Sequence, residues 1–152
     1  ARALVALLRP LGIPLLVNDR VDVALAADAD GVHVGQSDMG PADTRALIGP
    51  DRILGLSITA FADLARSDLT GVDYLGVGPV FGTTTKPDAA PPMGLAGLAA
   101  VRAATPLPIV AIGGIGPAEA GPVRAAGADG VAIVSAIMAA ADPEAATRSF
   151  RP

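Results

Sequence analysis

Tyr74 to Pro87 reads Y-L-G-V-G-P-V-F-G-T-T-T-K-P. An apolar run, Tyr74 to Val80, passes through glycines and a proline and opens into three threonines and a lysine. Lys86 is the only lysine; the other ten of the 11 basic residues are arginines. A hydrophobic strand that delivers hydroxyls and one ammonium group to its carboxyl end has the makings of a phosphate-handling loop. The rest of the chain repeats the plan of a short apolar strand, a polar loop and then a helix.

Working outward, apolar strands are expected at Ile13–Asn18, Gly31–Gly35, Ile53–Ile58, Tyr74–Val80, Pro108–Gly113 and Gly130–Ser135. Between them, helical patterns cover Arg20–Ala27, Pro41–Ile48, Phe61–Leu69, Leu95–Ala104 and Pro117–Ala126, with a last one at Pro143–Phe150. Strict alternation of near-continuous apolar strands with helices specifies a parallel sheet covered by helices, an α/β fold. A phrase recurs at strand entrances: D-A-D-G-V, G-V-D-Y-L and G-A-D-G-V. This echo points to a duplicated βα unit within one domain spanning residues 1–152. The stretch Pro87–Pro92 reads as a loop insertion.

A (β/α)8 TIM barrel needs eight strands and typically ~250 residues. Six strands, and an abrupt helical opening at R-A-L-V-A-L-L-R-P-L-G, lead to the expectation of a barrel lacking about its first two βα units. No signal peptide is expected from that opening, which lacks a charged leader with an apolar core.

Composition narrows the function classes. Hydrophobic residues make up 51% of the 152, yet no run approaches the ~20 needed to span a membrane. Cysteine is absent, which removes thiolate nucleophiles and cysteine-ligated metals and fits a reducing, cytoplasmic setting. Net charge is −4 and aromatics are 3%, so neither nucleic acid nor membrane is the expected partner, and small molecules are.

Ligands gather at the carboxyl ends of strands in such folds. Asn18, Gln36 and Lys86, each the sole residue of its type, all fall there. Asp19 and Asp38 follow consecutive strands at equivalent positions. Aspartate ahead of a helix is commonly an N-cap, but two carboxylates from adjacent strands beside a phosphate site suit Mg²⁺. Gly113 to Gly116 leads into a helix, whose N-terminal amides favour anions, and Ser135 at the next strand end strengthens that reading. His33, within V-H-V, points opposite to its valines and reads as a satisfied structural histidine rather than a general base. Ser57 has no histidine beside it in sequence and serves as a hydrogen-bond donor. No Ser-His-Asp set, zinc motif, P-loop or dinucleotide fingerprint is present. The inventory suits electrostatic stabilisation of a departing phosphate or pyrophosphate.

V-N-D-R-V-D-V-A, G-V-H-V-G-Q-S-D, G-V-G-P-V-F-G-T-T-T-K, V-A-I-G-G-I and V-A-I-V-S-A, in this order, closely resemble thiamine phosphate synthases. The resemblance implies a (β/α)8 barrel that joins hydroxymethylpyrimidine diphosphate to thiazole phosphate. Mg²⁺-assisted loss of pyrophosphate would leave a pyrimidine-methyl cation for the thiazole nitrogen to capture. By position, it implies Asp19 and Asp38 as Mg²⁺ ligands, and Asn18, Ser57 and Lys86 as contacts to the pyrimidine pyrophosphate. Thr83 and Thr85 would hold the thiazole substrate, and Gly114, Val134 and Ser135 its phosphate. Lys86 and Ser57 would act on the bond being broken. The family's Q-x-R-x-K motif does not occur in this chain. Where family members often carry a histidine after the serine corresponding to Ser57, the text here is S-I-T-A. That departure weighs against the related thiazole tautomerase, the alternative enzymatic reading. A truncated barrel that only binds thiazole phosphate is the non-catalytic one.

Overall fold

The computed structural model describes residues 1–87 and 89–151; Asp88, inside the loop expected over Pro87–Pro92, lies outside the described residues. Six strands alternate with helices, as the apolar pattern requires. They are β1 (Leu16–Asn18), β2 (Gly31–Val34), β3 (Ile53–Ile58), β4 (Tyr74–Val77), β5 (Ile109–Ile112) and β6 (Gly130–Ala132). The hydrogen-bonded order is β1-β2-β3-β4-β5-β6, and the registers of β1 with β2, β2 with β3 and β5 with β6 are parallel. The helices are α1 (Arg2–Leu8), α2 (Val21–Ala27), α3 (Pro41–Ile48), α4 (Phe61–Arg66), α5 (Gly94–Ala104), α6 (Pro117–Ala125), α7 (Ser135–Met138) and α8 (Pro143–Arg148).

The residues divide into two compact units. The first comprises Ala1–Ser57 and Arg66–Leu75. Here α2 packs on β1, β2 and α3, and Val32, Val34, Leu54 and Leu56 are buried with Ala24 and Ile48. Each such aliphatic side chain contributes roughly 1.5–3 kcal/mol by leaving water. The alternate positions of β2, β3 and β4 include the small or polar His33, Gly55, Ser57 and Tyr74. Period-2 alternation thus sorts each strand into an apolar, buried set and a set free for chemistry.

The second unit comprises Ile58–Ala65 and Gly76–Pro152. In it α6 packs on α5 and β6, and Val77, Leu98, Val101, Ile109, Ala111 and Val123 are buried. Two strands end sooner than their apolar runs suggest. β4 stops at Val77, because Gly78-Pro79 follows and proline has no N–H to offer a ladder. β6 stops at Ala132, and Val134 caps the four-residue α7. Ser135 therefore opens a short helix instead of ending a strand, which corrects its expected placement.

The repeated phrase at the strand entrances has a physical cause. Asp30, Asp73 and Asp129 occupy equivalent places ahead of β2, β4 and β6. The backbone N–H groups of Leu15, Leu54 and Ile109 donate to their carboxylates at 2.8, 2.7 and 2.8 Å. The aspartates' own N–H groups donate back to the carbonyls of the same three residues at 2.9, 2.9 and 2.8 Å. An arginine faces each carboxylate: Arg9 at 3.8 Å, Arg45 at 2.7 Å and Arg102 at 3.2 Å. The echo is a clamp that fixes the start of one strand against its neighbour. It serves the frame, not a ligand.

Candidate functional site

In the first unit the site residues leave the carboxyl ends of β1, β2 and β3. Asn18 is the exposed last residue of β1, opposite His33 in the parallel register. Asp19 follows with φ of 63°, the left-handed region that few non-glycine residues occupy and where aspartate is enriched. Its N–H donates to the His33 carbonyl at 2.8 Å. The cap of α2 is Arg20, and no side chain caps that helix. Asp38 does not cap either: α3 starts from Gly40 without a side-chain cap, and the Asp38 carboxylate accepts the Gly35 N–H at 2.7 Å. Both aspartates are exposed. For Asp38 the capping alternative, open from sequence, thus gives way to a bond within its own loop. Among the described residues no three His, Cys, Asp or Glu side chains cluster as a metal centre.

Ser57, half-buried near the end of β3, is held at two points. Its carbonyl accepts the Gln36 amide N–H at 2.8 Å, and Gln36 is itself anchored on Ser67 Oγ at 3.1 Å. Its hydroxyl lies 2.8 Å from His33 Nε2. His33 Nδ1 lies 2.9 Å from the Tyr74 hydroxyl, with the ring centroids 5.4 Å apart. Three neighbouring strands therefore contribute one polar group each to a continuous chain. Gly55 makes this possible: a Cβ there would stand 2.3 Å from both His33 Nδ1 and the Tyr74 ring. Burial lowers the His33 pKa, partly opposed by the Asp38 charge, and burial raises that of Tyr74. The ring is kept neutral and the phenol protonated.

The histidine is thus satisfied at both nitrogens, as expected. Its link to Ser57 is new, because sequence shows no histidine beside that serine. The available signal was parity: His33, Gly55, Ser57 and Tyr74 all lie on the face opposite the buried aliphatic residues of their strands.

In the second unit the threonine loop follows β4. Val80 and Phe81 N–H groups donate to the carbonyls of Ile112 and Gly113 at 2.8 and 3.0 Å, which ties the loop's base to the end of β5. The Thr85 N–H donates to Thr83 Oγ at 3.2 Å, a local turn that shapes the T-x-T segment. Thr85 and Lys86 are exposed and Thr83 half-buried. Gly114 has φ of +61°, and a Cβ there would meet the Gly82 carbonyl at 2.3 Å, so the glycine turn lies directly against the threonine loop. Val134 and Ser135 are exposed at the start of α7.

One expectation changes here. At the start of α6 the Glu119 carboxylate accepts the Gly116 N–H at 3.0 Å and Pro117 has no N–H, so fewer backbone donors face an anion there than the glycine run suggests. The protein's own carboxylate occupies that end.

Comparison with known proteins names one family. The family model described as thiamine monophosphate synthase matches residues 1–137. The chain belongs to the thiamine-phosphate synthase family. It is 66% identical over 151 residues to a thiamine-phosphate synthase of Solidesulfovibrio magneticus, covering 99% of this chain and 72% of the relative. The corresponding enzyme of Xanthobacter autotrophicus is 65% identical over 151 residues, with the same 99% and 72% coverage. Among solved structures, thiamine phosphate pyrophosphorylase from Pyrococcus furiosus superposes with a TM-score of 0.88 at 40% identity, covering 98% of this chain and 71% of that one. Thiamine-phosphate synthases are transferases, and this chain is one of them. No helix among the described residues is long and apolar enough to cross a membrane.

Proposed function

We propose that the protein transfers the hydroxymethylpyrimidine group from its diphosphate to thiazole phosphate with release of pyrophosphate, and that its six βα units belong to a (β/α)8 barrel. The observation that carries this reading is the pair Asp19 and Asp38. They leave adjacent parallel strands, Asp38 accepts the Gly35 N–H and does not cap α3, and Asp19 sits in a left-handed conformation of the kind found at functional sites. Two carboxylates are a hard, all-oxygen donor set, which fits Mg²⁺, an ion that completes its shell with waters and substrate phosphates. Bound there, Mg²⁺ would offset the charge gathering on the leaving pyrophosphate.

The remaining roles follow from donor chemistry. Lys86 and Ser57 donate to the pyrophosphate oxygens as negative charge builds on them, and Asn18 contacts the same substrate. Thr83 and Thr85 hold the thiazole partner, while Gly114, Val134 and Ser135 cradle its phosphate. Charge developing on the departing group is what such preorganised donors stabilise most.

Incubation with hydroxymethylpyrimidine diphosphate, thiazole phosphate and Mg²⁺ should yield thiamine phosphate and pyrophosphate in equal amounts. Product that forms without pyrophosphate, or no product with both substrates present, would overturn the assignment.

A further inference from the structure

We infer that His33 is a positioning residue that turns the Ser57 hydroxyl toward the substrate, through a directed chain Tyr74 O–H to His33 Nδ1 and His33 Nε2–H to Ser57 Oγ. The inference rests on the proposed contact between Ser57 and the diphosphate and adds to it the residue that aims the contact.

The argument begins with hydrogen counting. A serine hydroxyl has one proton and two lone pairs. To donate to an anionic oxygen of the substrate, Ser57 cannot spend that proton on His33 Nε2, 2.8 Å away. His33 must then be the donor in that contact, so its proton sits on Nε2. A neutral imidazole carries only one N–H, which leaves Nδ1 as an acceptor, and the group placed to fill it is the Tyr74 hydroxyl at 2.9 Å. The reverse chain, Ser57 O–H to Nε2 and Nδ1–H to the tyrosine oxygen, satisfies the same distances but leaves Ser57 only lone pairs to face an anion. Lone pairs repel phosphate. Only one of the two directions serves the reaction.

The surroundings hold the chain in place. Gly55 leaves the gap that both rings fill, and no larger residue could stand there without displacing His33 or Tyr74. The Gln36 amide fixes the Ser57 backbone from the other side. With carbonyl and hydroxyl both tethered, the orientation of the Ser57 O–H is set before substrate arrives, and such preorganisation is what a transition-state donor needs.

His33 is the single histidine of this sequence, which makes the direction measurable. In protein labelled with ¹⁵N-histidine, long-range proton–nitrogen spectra should show His33 as the tautomer protonated at Nε2, with Nδ1 bare. Turnover supplies the second readout. Ser57→Ala should lower kcat ~10²-fold, the scale of losing one transition-state donor. His33→Asn should lower kcat about tenfold, as loss of an orienting partner does, with KM for thiazole phosphate unchanged. His33→Gln, whose amide can present an N–H near the place of Nε2, should recover most of that loss. In a Ser57→Ala background, His33→Asn should add nothing, because the two residues act as one.

A His33 protonated at Nδ1, in an enzyme that Ser57→Ala impairs, overturns the positioning role while leaving the proposed function intact. Undiminished turnover of Ser57→Ala removes the Ser57 contact itself, and the positioning role falls with it. An equal further loss from His33→Asn in the Ser57→Ala background would make the histidine structural only.

Discussion

The two ends of the strands hold the same residue type in opposite settings. At the entrances, Asp30, Asp73 and Asp129 each accept a backbone N–H and face an arginine. At the exits, the Asp38 carboxylate accepts only the amide of its own loop, and no described arginine or lysine pairs with it. A carboxylate neutralised by arginine has little left to offer a cation, whereas one without such a partner retains its charge. Under the proposed assignment, the contrast separates frame from chemistry more sharply than the identity of the residues does. It matches the general rule that one face of such folds carries stability and the other catalysis.

Substitutions can break this comparison from either end. The largest effect is expected at the exits. Lys86 is exposed and its side chain supports no described hydrogen bond, so Lys86→Ala should leave the denaturation midpoint unchanged. It should lower kcat about 10²- to 10³-fold, the range for removing a donor aimed at developing negative charge, with little change in KM for thiazole phosphate. Normal turnover of that variant would return Lys86 to the status of a surface charge.

The entrance counterpart should show the reverse pattern. Asp73→Ala strips the acceptor from the Leu54 N–H and leaves Arg45, whose side chain is only 19% exposed, without its carboxylate. A part-buried donor left unsatisfied costs roughly 1–3 kcal/mol. Urea unfolding should register a loss of about 2 kcal/mol, while kcat of the folded fraction stays at the wild-type value. A stable but inactive Asp73→Ala would place chemistry at the entrances and erase the distinction.

Much of this contrast was legible in the sequence. Strand apolarity, βα alternation and the sole Asn, Gln and Lys at strand exits each follow from local chemistry. So did the echo at the entrances, although letters alone could not tell a clamp from a signature, because the arginines that complete it lie 21 to 28 positions away. Other features depended on geometry that no local pattern encodes. Whether Asp38 caps α3 turned on a two-residue offset, decided when its carboxylate folded back onto Gly35. That Glu119, three residues past the cap, takes the Gly116 N–H at the start of α6 is likewise not visible in the glycine run. The link from Ser57 to His33 joins different strands, and only the register that sets His33 opposite Gly55 shows it.

The smallest effect sharpens the same comparison through pH. Burial is the main cause of the lowered His33 pKa, and Asp38 opposes it. A histidine whose pKa falls on folding binds its proton more readily when unfolded, so the unfolded state gains as acid is added. The sign is therefore fixed: the contribution to stability is complete above the ordinary histidine value of about 6.5 and is lost as pH falls below it toward the folded pKa. Tyr74 is shifted upward and does not titrate in that window. Stability measured by urea from pH 7.5 downward should decline just below pH 6.5, ahead of the carboxylate range, and His33→Gln should flatten that segment. The entrance clamps are built from aspartate and arginine and contain no histidine, so Asp73→Ala should shift the whole curve without changing its slope there. A slope that disappears in Asp73→Ala and persists in His33→Gln would assign the pH response to the wrong end of the strands, and the histidine would lose its place in the exit network.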